Sequence, residues 1–292
     1  MQAFLHFSSS KSGAIVTDVI TEIVRQTGGT DFAWLSQSDE LGASAFCRVS
    51  ENLSVAALRA QADSHQIDVN ILDRAPHVKR LMVCDMDSTI ITSESLDDMS
   101  YMAGIGDKVA PITARAMAGE IDFSQALDER LAMLTGQPAS LLDKIVKDTK
   151  SFTGARELVQ TMRHKGAVCL LVSGGFTFLT SDIAARCGFH HHYANELVID
   201  NDRLAGRVKK PILDASSKVR ILNEYCETYA LGHDEVMAMG DGANDIPMLT
   251  TAGLGIAWQG KPLVRDKVNI QLNHSSLCGA LFLQGISEAD IR

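Results

Sequence analysis

No CxxC pair, no long apolar run and no excess of basic residues occur in this 292-residue chain. The six cysteines (Cys47, Cys84, Cys169, Cys187, Cys226 and Cys278) are scattered, several of them inside apolar stretches. That pattern excludes a zinc ribbon or a disulfide framework and predicts reduced core thiols. No run approaches the roughly 18 apolar residues that a spanning helix needs, so no membrane segment is expected. The opening MQAFLHFSSSKSG lacks a basic region followed by an apolar stretch; this predicts a cytoplasmic protein without a secretory signal. Lysine and arginine number 27 against 36 acidic residues, a net charge of −9. Such a surface repels phosphate backbones and anionic lipid, so neither nucleic acid nor membrane is an expected partner. No internal repeat or low-complexity tract stands out. What remains is ordinary globular composition, 46% hydrophobic and 22% charged, at a length that predicts two domains.

The first 75 residues predict a βαββαβ unit. Ala3–Phe7, Asp31–Ser36, Ala43–Val49 and Ile67–Leu72 read as strands. Ala14–Thr27 carries Ile15, Val19 and Ile23 at helical spacing, and Leu53–His65 reads as a second helix capped by Asn52. That order is the split-βαβ, ferredoxin-like arrangement. Arg74-Ala75-Pro76-His77 is the expected linker, which gives domains 1–75 and 76–292. Beyond it, Arg80–Cys84, Ala167–Val172 and Glu235–Met239 are short apolar runs, with Leu254–Trp258 and Val268–Leu272 as weaker ones. Helices Ala155–Lys165, Thr177–Cys187 and Ser217–Tyr229 separate several of them. Alternation of this kind predicts an α/β, doubly wound, mostly parallel sheet. Between about 95 and 152 the alternation breaks into helix formers, read as a helical insertion after the first core strand.

The strand ends carry the chemistry. The first ends in Asp85-Met86-Asp87-Ser88-Thr89, whose two carboxylates project the same way if the strand continues. Alone, the pattern also fits a solvated turn. The second main strand, however, ends in Ser173-Gly174-Gly175 and the third in Gly240-Asp241-Gly242, followed by Asn244-Asp245, and Lys218 lies near the start of a helix. Acidic strand ends at the carboxyl edge of an open sheet make an oxygen-donor site for a hard cation such as Mg²⁺. Gly174 and Gly175 offer backbone N–H groups to an anion. Consecutive His190, His191 and His192 read as a half-solvated strand rather than a metal site, because neighbours on a strand face opposite sides.

Asp85-x-Asp87-x-Thr89, Ser173, Lys218 and Gly240-Asp241-Gly242-x-Asn244-Asp245 stand in the order of the four motifs of the haloacid dehalogenase superfamily. From about Val78 onward the chain resembles that superfamily, and the insertion resembles its first-type cap. Glu94, Met117, Phe123 and Arg130 narrow the resemblance to its phosphoserine phosphatases. The resemblance implies Mg²⁺-dependent hydrolysis of O-phosphoserine to serine and phosphate, the last step of serine biosynthesis. Asp85 would be the nucleophile, Asp87 the general acid and base, and Lys218 the ammonium that steadies both Asp85 and phosphate. Ser173, Gly174 and Asn244 would bind phosphate. Glu94 would meet the substrate ammonium and Arg130 its carboxylate, with Met117 and Phe123 as an apolar lid. Mg²⁺ would rest on Asp85, Asp87 and Asp241, with Asp245 supporting them. The first 75 residues resemble an ACT-type unit in element order alone, and a homodimer stays open. Two alternatives also stay open: phosphoryl transfer to another small alcohol such as homoserine, or hydrolysis of another small phosphomonoester such as phosphohomoserine, by the same core chemistry; and an amino-acid-binding regulatory protein with an inert phosphatase unit.

Overall fold

The computed structural model describes residues 3–49, 53–117 and 120–292, the Met117 side chain excepted. The chain opens with β1 (Ala3–Ser9), α1 (Ala14–Gln26), β2 (Thr30–Ser38), β3 (Gly42–Val49), α2 (Val55–Asp63) and β4 (Asp68–Leu72). The strands form an antiparallel sheet in the order β2-β3-β1-β4, the ferredoxin-like topology that the element order predicts. Val16, Ile20 and Ile23 of α1 and Leu58 and Ala62 of α2 bury against Leu5, Phe7, Cys47 and Val69. Helix α2 is shorter than expected. Its cap is Ser54, whose hydroxyl accepts the Ala57 N–H at 3.3 Å; Asn52, the expected cap, lies outside the described residues.

His6 of β1 is fully buried beside Phe46, with its Nε2 3.1 Å from the Ser44 hydroxyl and no partner for Nδ1. Burial pushes its pKa down to about 3. The folded state therefore binds this proton more weakly than the unfolded chain does. The contribution is intact above the ordinary value of 6.5 and is lost as pH falls from there toward 3. Between pH 7.5 and 4.5 this single group should cost about 2–3 kcal/mol of stability. Urea unfolding of the protein and of a His6→Gln variant at the two pH values checks this, the variant losing correspondingly less.

The second sheet has six parallel strands in the order β12-β11-β10-β5-β6-β7. Chain order runs β5 (Leu81–Cys84), then cap helices α3 (Ser95–Met102), α4 (Gly106–Met117), α5 (Phe123–Ala132) and α6 (Ser140–Asp148). After α7 (Ala155–His164) come β6 (Val168–Phe176), α8 (Thr177–Cys187) and β7 (His191–Asn195). A hairpin of β8 (Leu197–Asp200) and β9 (Arg203–Val208) leads to α9 (Ala215–Tyr229) and β10 (Val236–Gly240). The chain finishes with α10 (Ile246–Thr251), β11 (Leu254–Trp258), α11 (Pro262–Lys267), β12 (Ile270–Leu272) and α12 (Gly279–Phe282). Strand β5 alternates its side chains between two apolar layers. Met82 and Cys84 join the layer of α7, α8 and α12, and Leu81 and Val83 join that of α9 and α10. Covered on both faces, the sheet leaves its carboxyl edge as the polar outlet.

All six cysteines are free and buried. Among the described residues no helix is long and apolar enough to cross a membrane. The hairpin β8–β9 is an element that the sequence reading did not contain. The two sheets meet through side chains that imitate a strand. Asn70 of β4 accepts the Gln271 N–H at 2.8 Å and donates to the Gln271 carbonyl at 2.9 Å. The buried Asp68 carboxylate accepts the N–H groups of Asn273, His274 and Ser275 and the Ser275 hydroxyl at 2.6–3.0 Å.

Candidate active site

Strand β5 stops at Cys84, so Asp85 is the first residue past the sheet edge. It remains tied to the edge by its N–H, which donates to the Met239 carbonyl at 3.0 Å. The strand does not continue through Asp87; the backbone turns instead, with Ser88 at φ 54°, and Asp87 reaches the site from that turn. Lys218, buried on α9, places its ammonium 2.7 Å from Asp85 and 2.6 Å from Asp245. Carboxylate oxygens of Asp85, Asp241 and Asp245 lie within 4.8 Å of one another, all three residues buried. Asp241 is the first residue past β10 and Asp245 follows one short turn later, its carboxylate accepting the Gly242 N–H at 3.0 Å. Burial presses the Asp85, Asp87 and Asp241 carboxyls upward in pKa. Burial pulls Lys218 the other way, but the Asp245 and Asp85 charges outweigh it and hold the ammonium protonated. One buried ammonium does not balance three converging carboxylates, and an all-oxygen donor set of this kind suits a hard divalent cation.

Asp87 is held by a second ring of donors. Its Oδ1 accepts the Ser95 N–H at 2.7 Å and its Oδ2 the Ser173 hydroxyl at 3.0 Å. The Ser173 hydroxyl in turn accepts the Gly175 N–H at 2.8 Å. Ser173 is fully buried, and its hydroxyl links Asp87 to the backbone of Gly175. Strand β6 runs on through Gly174 and Gly175, and both positions are packed. A Cβ at Gly175 would lie 2.6 Å from Asp87 Oδ2 and 2.8 Å from Ser95 Oγ; one at Gly174 would lie 3.1 Å from the Phe123 ring. Gly175→Ala should therefore displace Asp87 and lower kcat about 100-fold, the usual scale for an ångström of misplacement. Steady-state kinetics checks this against an unchanged circular dichroism spectrum.

The cap closes over a cavity of about 190 Å³. Asp85, Asp87, Asp241 and Asn244 line it from the sheet side, and Glu94, Phe123 and Arg130 from the insertion. Phe123 opens α5, set by the reciprocal Asp122–Gln125 cap. Arg130 donates Nε to the Ala126 carbonyl one turn back at 3.1 Å, which leaves the rest of its fork for the cavity. Glu94 accepts the Ser88 hydroxyl at 2.8 Å, and burial together with the Asp87 charge raises its carboxyl pKa. Met117 ends α4, but its side chain lies outside the described residues. Lys261 is a site residue that the sequence reading missed. Its ammonium is 3.1 Å from Asp241 and 4.0 Å from Glu94. The available signal was its place in Gln259-Gly260-Lys261-Pro262, a turn at the same carboxyl edge as the other strand ends. The three histidines form no cluster: the His190 ring accepts the Cys169 N–H, whereas His192 meets the Thr180 hydroxyl.

Comparison with known proteins places this geometry. The phosphoserine phosphatase of Lactococcus lactis is 41% identical over 203 residues, covering 70% of this chain and 94% of that one. The chain spans 58–59% of the length of three longer curated relatives it matches. A haloacid dehalogenase family hydrolase of Salmonella enterica serovar Typhi superposes on nearly the whole molecule, with a TM-score of 0.85, 26% identity and coverage of 97% and 98%. A phosphoserine phosphatase solved as a phospho-aspartyl intermediate analogue gives 0.65, at 32% identity over 70% of this chain and 98% of that one. Residues 82–250 match the haloacid dehalogenase-like hydrolase family, and with the carboxylate cluster and Lys218 inside that span, the chain belongs to it.

Proposed function

We propose that the protein hydrolyses O-phosphoserine to serine and phosphate through a covalent aspartyl-phosphate on Asp85. The observation that carries this reading is the charge layout of the cavity at the carboxyl edge of the sheet. Asp85 and the Asp241 edge face Glu94 and Arg130 across about 190 Å³. A phosphoserine has a phosphate for the first side and an ammonium and a carboxylate for the second. Similarity to phosphoserine phosphatases supports the same substrate.

An Asp85 carboxylate oxygen attacks phosphorus as the bond to the serine oxygen breaks. Asp87 gives its proton to that oxygen. A water then attacks the phosphorus of the aspartyl-phosphate, Asp87 takes the water's proton, and Asp85 leaves as carboxylate. The Lys218 ammonium steadies Asp85 and the developing charge on phosphate. Gly174 N–H and Asn244 orient phosphate oxygens, and Phe123 excludes water by closing on Gly174. Asp85 and Asp241 carboxylates and the Asp87 carbonyl would hold Mg²⁺, with Asp245 supporting them. The ion would offset the repulsion between an anionic nucleophile and a phosphate dianion.

We further assign residues 1–75 to an ACT-like unit packed on a 76–292 phosphatase unit whose cap spans about 95–152. Release of inorganic phosphate from a panel of small phosphomonoesters, with and without Mg²⁺, tests the reading. Phosphoserine should lead the panel, and release should fall away on chelation. Adding homoserine or other small alcohols separates hydrolysis from transfer. No release from any member would return the chain to the binding-protein alternative.

A further inference from the structure

Asp87 has to hand over a proton and then recover one, so its carboxyl must be held in one place through two steps. One of the two residues that hold it belongs to the cap and not to the sheet. Ser95 is the first residue of α3 and is 2% exposed. Its N–H donates to Asp87 Oδ1 at 2.7 Å, and its hydroxyl oxygen lies with Asp87 Oδ2 around the space beside Gly175. The Ser95, Ser173 and Asp87 oxygens converge on the space that the missing Gly175 side chain leaves free. Glu94, the residue before Ser95, lines the cavity beside it.

We infer that Ser95 is a positioning residue for Asp87: seating of the first cap helix sets the proton-transfer carboxyl in place at the same moment as it brings Glu94 to the substrate. This rests on the proposed role of Asp87. It adds that proton transfer is assembled by cap closure and is not a standing property of the sheet edge. A substrate too small or too neutral to draw the cap down would be bound and left unreacted.

A leaving-group comparison tests it. Serine leaves as an alkoxide and needs the Asp87 proton, whereas acetyl phosphate releases acetate, which does not. Formation of the phosphoenzyme in the first turnover is followed by rapid quench for both substrates. Ser95→Ala should slow transfer from phosphoserine about 10- to 100-fold, a part of what positioned acid catalysis supplies. Transfer from acetyl phosphate should stay within about twofold. Ser95→Thr, which keeps the hydroxyl, should restore most of the phosphoserine rate. Ser95→Pro removes the N–H at a helix position that accepts proline, and should show the same split more strongly. Equal losses on both substrates in folded variants, or a threonine variant as slow as the alanine one, would overturn the role of Ser95 alone. A parent protein that forms no phosphoenzyme from either substrate would overturn the proposed function and this role with it.

Discussion

Asp85→Asn is expected to leave the protein folded and to bring turnover of phosphoserine below about 1% of the parent rate, within the range seen when a covalent nucleophile is lost. The amide has the shape of the carboxylate. Its oxygen can still accept the Met86 N–H, a 2.8 Å bond in the structure, and its backbone N–H still pairs with Met239. What it loses is the anionic oxygen that attacks phosphorus and the charge that faces the Lys218 ammonium, which at 2.7 Å meets the same Oδ1 and would keep only a neutral acceptor there. Lys218 keeps Asp245 at 2.6 Å, so no buried cation is orphaned and the fold is spared. Phosphate release, far-UV circular dichroism and intact mass, to exclude deamidation, form the test. A folded, undeamidated variant that works at a tenth of the parent rate would remove Asp85 from the nucleophile's place.

The second large effect is one of selectivity. Arg130→Ala should lower kcat/KM for phosphoserine by about 2–4 kcal/mol, or roughly 30- to 1,000-fold, because charge-assisted hydrogen bonds contribute about 1.5–3 kcal/mol each. The phosphate-handling groups sit on the ends of β5, β6 and β10, whereas Arg130 reaches the cavity from α5 on the opposite wall. Phosphoethanolamine has the ammonium for Glu94 but no carboxylate for Arg130. Its turnover should be poor in the parent and change little in the variant. A destabilised cap would lower both substrates together, so the pair of substrates separates recognition from folding. Equal losses on both in a well-folded variant would return Arg130 to a structural part of the cap.

The parts of this molecule that were legible in its sequence are those that short-range pattern controls. The apolar run Leu81–Cys84 and the Asp that ends it announce a buried strand and its polar outlet. The order of the acidic strand ends announces a shared site, because parallel strands bring their carboxyl ends to one edge. What stayed hidden depends on partners remote in sequence. Asp68 and Asn70 look like ordinary strand residues until the 271–275 segment, some two hundred positions away, supplies their partners. Ser95 reads as the polar start of a helix, and its work appears only when Asp87 stands before it. Lys261 was passed over because a lysine between glycine and proline fits any solvated turn, until Asp241 is placed beside it. The β8–β9 hairpin could have been found: Asn201 and Asp202 both have positive φ, and such pairs favour the tight turn that joins two short strands. Its flanking strands, 4 and 6 residues long, are too brief to announce themselves by alternation.

The joint between the two sheets also has a consequence for how the protein is made. Strand β1 is synthesised well before α12, which it packs against and which lies roughly 270 residues further along the chain. The Ser8 hydroxyl pairs with Ser275 at 2.6 Å, and the Ser10 N–H with the His274 carbonyl at 2.9 Å. At about 5–20 residues per second, roughly 13–50 s separate the synthesis of one side of this joint from the other. Throughout that interval the first sheet has its helical face covered by α1 and α2 while its opposite face waits in water. Losing a short stretch around 273–283 would therefore leave every newly made molecule with that face uncovered, a far heavier penalty than an equally long cut in a surface loop of the cap.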